Sequence, residues 1–561
     1  MQNVLKLVSG NLKARKQGYD HLNREGAPSY GMSFKEQVVN VLATGTLGDT
    51  FYASGQQLAE EAMMVLCQAR QECPEFLARA LVFARNQGFM KTLPVLGLVV
   101  LSGGRGQTRE LFEAVFDQVV LIPDDLRAFV TLCRSGKIPG RTGFGGIAVG
   151  AVKRWLSQMS EYHAIKYGSA HSDGVTLRDI LRMSHAKPAT AAVAERFGWL
   201  VRGHEMLGTD PNLNPQIRAF EFLKRATTED EQLTLIREGQ LPYEVVVPTL
   251  KKTTPQIWVE LLHRAPYMNL LRNLVTFARH GVFSQEEHVR YAVERLTNPT
   301  AVARSKVLPF RFFDAWQAYQ RSDAPDSRIA DALRAALEQS FVNMPSLGNR
   351  KVCIGTDVSG SMTGAISEKS STTCIDIAGI FTGALLRCAE DRVIALPFNT
   401  GVIPNCGLSS RDDILVTAEK IKRLGGGGTA VGAPVEYLLD RKIAVDVFIG
   451  VTDSEDWAHG SGYSCSGSFY SLWLRYKQEV NPDAQAFLVT IMPYRDAVAP
   501  SDAKGVHFIS GWSDRVLKYI SLTLENGASQ IQDIEQMHLR VAGDPDRLST
   551  DAEHAQEEGE E

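Results

Sequence analysis

A chain of 561 residues, 44% hydrophobic and 22% charged, is too long for a single hydrophobic core and too apolar for a disordered or fibrous protein. Its formal net charge of −4 conceals an asymmetry: residues 1–345 hold 41 Lys and Arg against 34 Asp and Glu, net +7, whereas residues 346–561 hold 19 against 30, net −11. The N-terminal part is therefore the better candidate for a polyanionic partner. The apolar stretch at the start is too short for a signal peptide and runs such as 93–101 are too short to cross a bilayer, so a cytoplasmic protein that avoids membranes is expected. The eight cysteines show no C-x-x-C spacing, and neither disulfides nor zinc are expected.

From about residue 33 to 342, apolar residues recur at three- and four-residue spacing in segments separated by Gly, Pro or Asn-Pro breaks. Residues 57–68, 75–86, 177–184, 256–263, 270–279 and 328–339 read as short helices with short connections, which predicts a HEAT-like α-solenoid of helix pairs over 1–345. Within it, 127–202 carries twelve Lys or Arg against four acids, an excess able to neutralise several phosphates or simply to solvate a helical face.

Pro345 and Gly348 mark a linker, after which the periodicity changes. The runs 351–356, 392–398, 445–451, 486–491 and 506–510 are short and continuously apolar, as strands buried on both faces of a parallel sheet read. Helical stretches at 373–390, 412–423, 431–439, 469–478 and 514–524 alternate with them, predicting a doubly wound α/β domain over 346–541. The acidic remainder, 542–561, is expected to be disordered.

The first of these strands runs into Asp357-Val358-Ser359-Gly360-Ser361, at the strand end where ligands of open α/β sheets bind. Gly425 to Gly428 then lead into Thr429, and a later strand ends at Thr452-Asp453. Hydroxyls and carboxylates are hard oxygen donors that suit Mg²⁺, or Mn²⁺, better than zinc or copper. Ser359 stands where an aspartyl-phosphate mechanism would want a second carboxylate, and no Lys follows the four glycines as a phosphate-binding loop requires. No catalytic group is needed, and the chain is not read as an enzyme.

Asp357, Ser359, Ser361, Thr429 and Asp453 resemble, in order, the metal-ion-dependent adhesion site of von Willebrand factor A domains. That resemblance implies hydroxyls in contact with the ion, acids acting mostly through water, and a last position open to a partner's carboxylate. The segment Leu181-Arg182-Met183-Ser184-His185-Ala186-Lys187-Pro188 is similar to one in the Ro ribonucleoprotein family, whose helical domain is shared by telomerase-associated, Ro and vault proteins. Thr44 to Tyr52, Asn269 to Leu274 and Leu308-Pro309-Phe310 resemble further segments of that family, extending the similarity from about residue 30 to 525.

The resemblance implies a closed ring of helices that admits single-stranded 3′ ends of misfolded RNA, with small structured Y-like RNA on its basic outer surface. Lys166 and His185 match RNA-contacting positions, Arg182 and Lys187 neighbour them, and Lys153, Arg154 and Arg272 are further candidates. After Lys166-Tyr167 the family's second basic residue is replaced by Gly168-Ser169-Ala170, so the outer surface departs from the pattern. Arg264, Tyr267, Arg279, Arg304, Lys306 and Arg311 complete a wider set for the ring lining. A monomer is expected, and an exoribonuclease partner is left open. Two rivals stand beside this reading: a metal-dependent protein-interaction module on a plain solenoid, and a nuclease, which would want clustered carboxylates.

Overall fold

The computed structural model describes residues 21–539 apart from 24–25, 45–54, 169–173, 210–212, 308, 342–346, 367–371, 390–391, 493, 495, 512–514 and 527–528. The acidic tail and most of the Gly-rich segment at 44–52 lie outside the described residues.

The N-terminal region is helical, and its breaks are caps. Thr254, Asn214 and Asn298 each accept a backbone N–H from the first turn of the helix that follows, with Pro255, Pro215 and Pro299 at the position where a missing N–H is harmless. The resulting helices Pro255–Arg264, Tyr267–Arg279, Glu286–Leu296 and Pro299–Ser305 pack on their neighbours in sequence, as a repeat array does. Each buries one stripe: in Tyr267–Arg279 it is Leu270, Leu271, Leu274 and Phe277.

The C-terminal region is a parallel sheet of five strands, β1 (Val352–Asp357), β2 (Val393–Phe398), β3 (Val447–Thr452), β4 (Gln485–Thr490) and β5 (Val506–Ser510), in the order β2-β1-β3-β4-β5. Every residue of β1 and β3 is buried, which is why these strands read as unbroken apolar runs. Phe448 and Leu488 of one sheet face join a core with Leu438, Phe469, Trp473 and Tyr476 from the helices Ala433–Asp440 and Phe469–Glu479. Helix Cys374–Ala389 lies against β1 and β2 and packs on Ile414–Lys422. The strand order reverses between β1 and β3, and the crevice at their C-terminal ends is the expected ligand position.

Compactness divides the chain differently from the change in secondary structure at 345/346. One unit comprises Met1–Leu93, Leu308–Asp314 and Ser340–Met537; the other comprises Pro94–Val307, Ala315–Gln339 and His538–Glu561. The N-terminal residues join the α/β unit because strand Pro28–Gly31 pairs antiparallel with Asp496–Ala497, and Asn40 of helix Phe34–Thr44 donates to Ser510 Oγ at 3.3 Å. Tyr30 also meets Tyr470 edge-on, with ring centroids 5.7 Å apart.

Candidate metal centre and nucleic-acid interface

The structure brings all five expected metal residues to one end of the sheet. Asp357 is the last residue of β1, and a short 3₁₀ turn, Gly360–Thr363, carries Ser361 back over it. Hydrogen bonds stitch the glycine loop across this turn: Gly360 N donates to Gly427 O at 3.0 Å, Gly426 N to Val358 O at 2.8 Å, and Asn399 Nδ2 to Gly426 O at 3.0 Å. Gly426 (φ 136°) and Gly427 (φ 88°) occupy backbone that side-chain-bearing residues rarely adopt, and a Cβ on Gly428 would lie 2.6 Å from the Trp457 ring. The loop thereby sets Thr429, which is 1% exposed.

The donors are hydroxyls and two acids. Ser359 Oγ and Ser361 Oγ are 3.1 Å apart. Asp357 accepts Ser359 N (2.8 Å) on one carboxylate oxygen and the Thr452 hydroxyl (2.6 Å) on the other, and Asp453 accepts Glu455 N at 3.3 Å. Thr452 was not among the expected residues; its signal was its place beside Asp453 at a strand end. Burial, followed by repulsion from Asp453, pushes the Asp357 carboxyl up to about 7, against hydrogen bonds that favour its ionised form. The Thr429 hydroxyl is buried without a hydrogen-bond partner.

A buried orphan hydroxyl beside two closely spaced serine hydroxyls and a repelling pair of acids fits a hard divalent cation, which would satisfy the first and offset the last. Ser359, Ser361 and Thr429 would hold it through hydroxyl oxygen, with Asp357 and Asp453 supplying charge. The neighbouring Cys374 thiol is pushed up by burial and then by Asp453, Asp357 and Asp376, so it stays protonated and makes a poor ligand. Among the described residues, no three His, Cys, Asp or Glu side chains gather into a metal-holding group, so the donor set stays hydroxyl-rich.

The candidate RNA residues fall into two groups. Thr176 caps helix Leu177–Ser184 reciprocally with Asp179; this buries Leu181 and Ser184 and leaves Arg182 exposed. His185 ends the helix in a left-handed conformation (φ 52°, ψ 41°), where glycine is usual, and both it and Lys187 are exposed. Lys153 and Arg272 are exposed as well.

Lys166 and Arg154 are engaged within the protein. Lys166 Nζ lies 3.0 Å from Glu244 and 3.0 Å from Tyr162 Oη; burial alone would lower its pKa, but Tyr162, Glu244 and Tyr167 together outweigh that and raise it. Glu244 lies 78 positions on in a different helix, and no local pattern announced it. Arg154 pairs with the buried Asp117 at 3.1 Å. Tyr267 is corrected from a lining candidate to a core residue: it is 5% exposed and donates to Leu296 O at 2.8 Å. Arg311 belongs to the α/β unit, with its guanidinium over Phe310 and 3.7 Å from Asp314, while Arg279, Arg304 and Lys306 are exposed and Arg264 is half-buried.

Comparison with known proteins fits this layout. Residues 351–522 match the model of the Ro60 von Willebrand factor A domain, and residues 245–346 match that of the TROVE domain. A Deinococcus radiodurans protein named RNA-binding protein RO60 is 26% identical over 82% of this chain and 88% of its own length. A Caenorhabditis elegans protein of the same name is 27% identical over 54% of this chain and 46% of its own. The crystal structure of the Deinococcus radiodurans Ro protein superposes with a TM-score of 0.66, at 21% identity, over 87% of this chain and 99% of that one, which establishes a shared fold. The chain thus carries a match to a TROVE domain followed by a match to a Ro60-type A domain, and on this domain pair rests its similarity to the proteins named RO60.

Proposed function

We propose that this protein binds RNA as a scaffold and does not process it. Small structured, Y-like RNA would lie on the basic surface and single-stranded 3′ ends of misfolded RNA in the ring that the family resemblance implies, in cytoplasmic RNA quality control. The observation that carries the reading is the exposed Arg182-His185-Lys187 corner in a chain with TROVE and Ro60-type A-domain matches, whose relatives are named RNA-binding proteins. A left-handed His where glycine would be unstrained is a local cost of the kind found at binding positions. The Mg²⁺ or Mn²⁺ site is read as a docking point for a partner's carboxylate, and an exoribonuclease is one candidate partner.

Filter binding of a small structured RNA across a salt series tests this. Lys187→Glu should weaken binding and flatten the log–log salt slope by about 0.7 to 0.9 for a lost phosphate contact. His185→Ala should cost about 1 kcal/mol with little change of slope, because the imidazole at this corner contributes a hydrogen bond or stacking. Unchanged affinity in both variants would reduce this corner to a solvated face. Mg²⁺-dependent RNA cleavage abolished by Asp357→Ala would overturn the non-catalytic reading.

A further inference from the structure

Helix Pro215–Leu223 buries Ile217, Phe220 and Leu223 yet leaves Phe222 44% exposed. Among the described residues of the unit containing Pro94–Val307, Phe222 is the one large hydrophobic side chain so exposed. Its surroundings on this helix are cationic. Arg218 lies one turn before it, and Arg225 lies three residues after it on a turn held helical by Arg225 N and Ala226 N donating to Phe222 O at 2.8 and 3.0 Å. Arg225 is exposed, and its guanidinium makes no ion pair among the described residues. The helix's acid, Glu221, is 2% exposed and is taken up by Trp199 Nε1 at 2.9 Å and Lys224 Nζ at 2.6 Å, so it offers nothing to repel an anion.

An exposed aromatic ring flanked by an exposed guanidinium suits a ligand that alternates flat π faces with negative charge. Each base of a single strand offers a face for stacking, and the phosphate beside it can meet the cation. A duplex keeps its bases stacked on one another and presents no such face. We propose that Phe222 and Arg225 form a stacking site for an unpaired base of single-stranded RNA, outside the basic segment 127–202. The proposal rests on the RNA-binding reading and deepens it, by assigning the single-strand contact to named side chains.

The test uses the full chain and a single-stranded oligoadenylate, with the same oligomer carrying abasic positions as control. Phe222→Ala should weaken oligoadenylate binding about tenfold or more without changing the salt slope, and should leave the abasic control unaffected. Arg225→Ala should instead lower the slope by about 0.7. Phe222→Trp should retain binding and add an indole emission quenched by saturating oligoadenylate beyond any change in the unsubstituted protein. Equal binding by Phe222→Ala and the unsubstituted protein, or an unquenched Trp, overturns the stacking site while leaving RNA binding intact. No oligoadenylate binding by the unsubstituted protein overturns the stacking site, and no binding of a small structured RNA in the same assay overturns the RNA-binding reading as well. A dimer dissolved by Phe222→Ala with RNA binding unmoved would make this face a self-association surface and also overturn the proposal.

Discussion

Thr429 is the residue at which the metal reading is most exposed to test. Its hydroxyl is buried without a partner, so Thr429→Val should stabilise the metal-free protein by about 1 kcal/mol while abolishing the thermal shift produced by Mg²⁺. An unchanged Mg²⁺ response in that variant would remove Thr429 from the ligand set. Asp357 adds a pH dependence. With its carboxyl raised from 3.8 to about 7, the folded metal-free chain retains a proton that the unfolded chain has already lost. Stability without metal should therefore fall as pH rises through about 4 to about 7 and stay low above that. Mg²⁺ should raise the melting temperature more at about pH 8 than at about pH 5; thermal melts with chelator and with Mg²⁺ check the sign. The gathering of these five residues at one end of the sheet was legible because each stands at a strand end or in a glycine loop. The pairing of Lys166 with Glu244 was not, because it joins residues on separate helices.

Helices and strands were the most readable level, since their periods follow from backbone geometry alone. Residues 177–184 form a helix over that very span, capped by Thr176 and Asp179, and the apolar runs became β1 to β5 within two residues at each end. How closely elements approach is a different matter. Gly379 on helix Cys374–Ala389 lies against Ile414–Lys422, and a Cβ there would stand 2.8 Å from Ala418 Cα. Gly→Ala inside a helix ordinarily gains about 1 kcal/mol. At this contact it should instead lose about 1 to 3 kcal/mol, because backbone must move to admit the methyl group. Urea unfolding of Gly379→Ala measures the sign, and a stabilised variant would show that the two helices can separate without penalty.

For the molecule as a whole, the chain's largest departure from its sequence reading is the use of residues 21–93. Strand Pro28–Gly31 completes its pairing on Asp496–Ala497, Ser29 Oγ donates to Asp496, and Asn23 Nδ2 donates to Asp456 O at 3.1 Å. A fragment starting at residue 346 should accordingly melt below the intact unit, and supplying residues 21–93 as a separate polypeptide should recover part of the loss. No difference between the two would mean that these contacts are marginal. The sequence by itself determined the two classes of secondary structure, the oxygen-donor character of the candidate metal site and the basic character of 127–202, because period, spacing and charge are local properties. Only the tertiary structure decided which cations remain exposed and which are matched, that Tyr267 is core, and that the described residues of 21–93 join the α/β unit. Each of these depends on a partner distant in sequence, such as Glu244, Leu296 or Asp496, and a chain read in one dimension does not contain that distance.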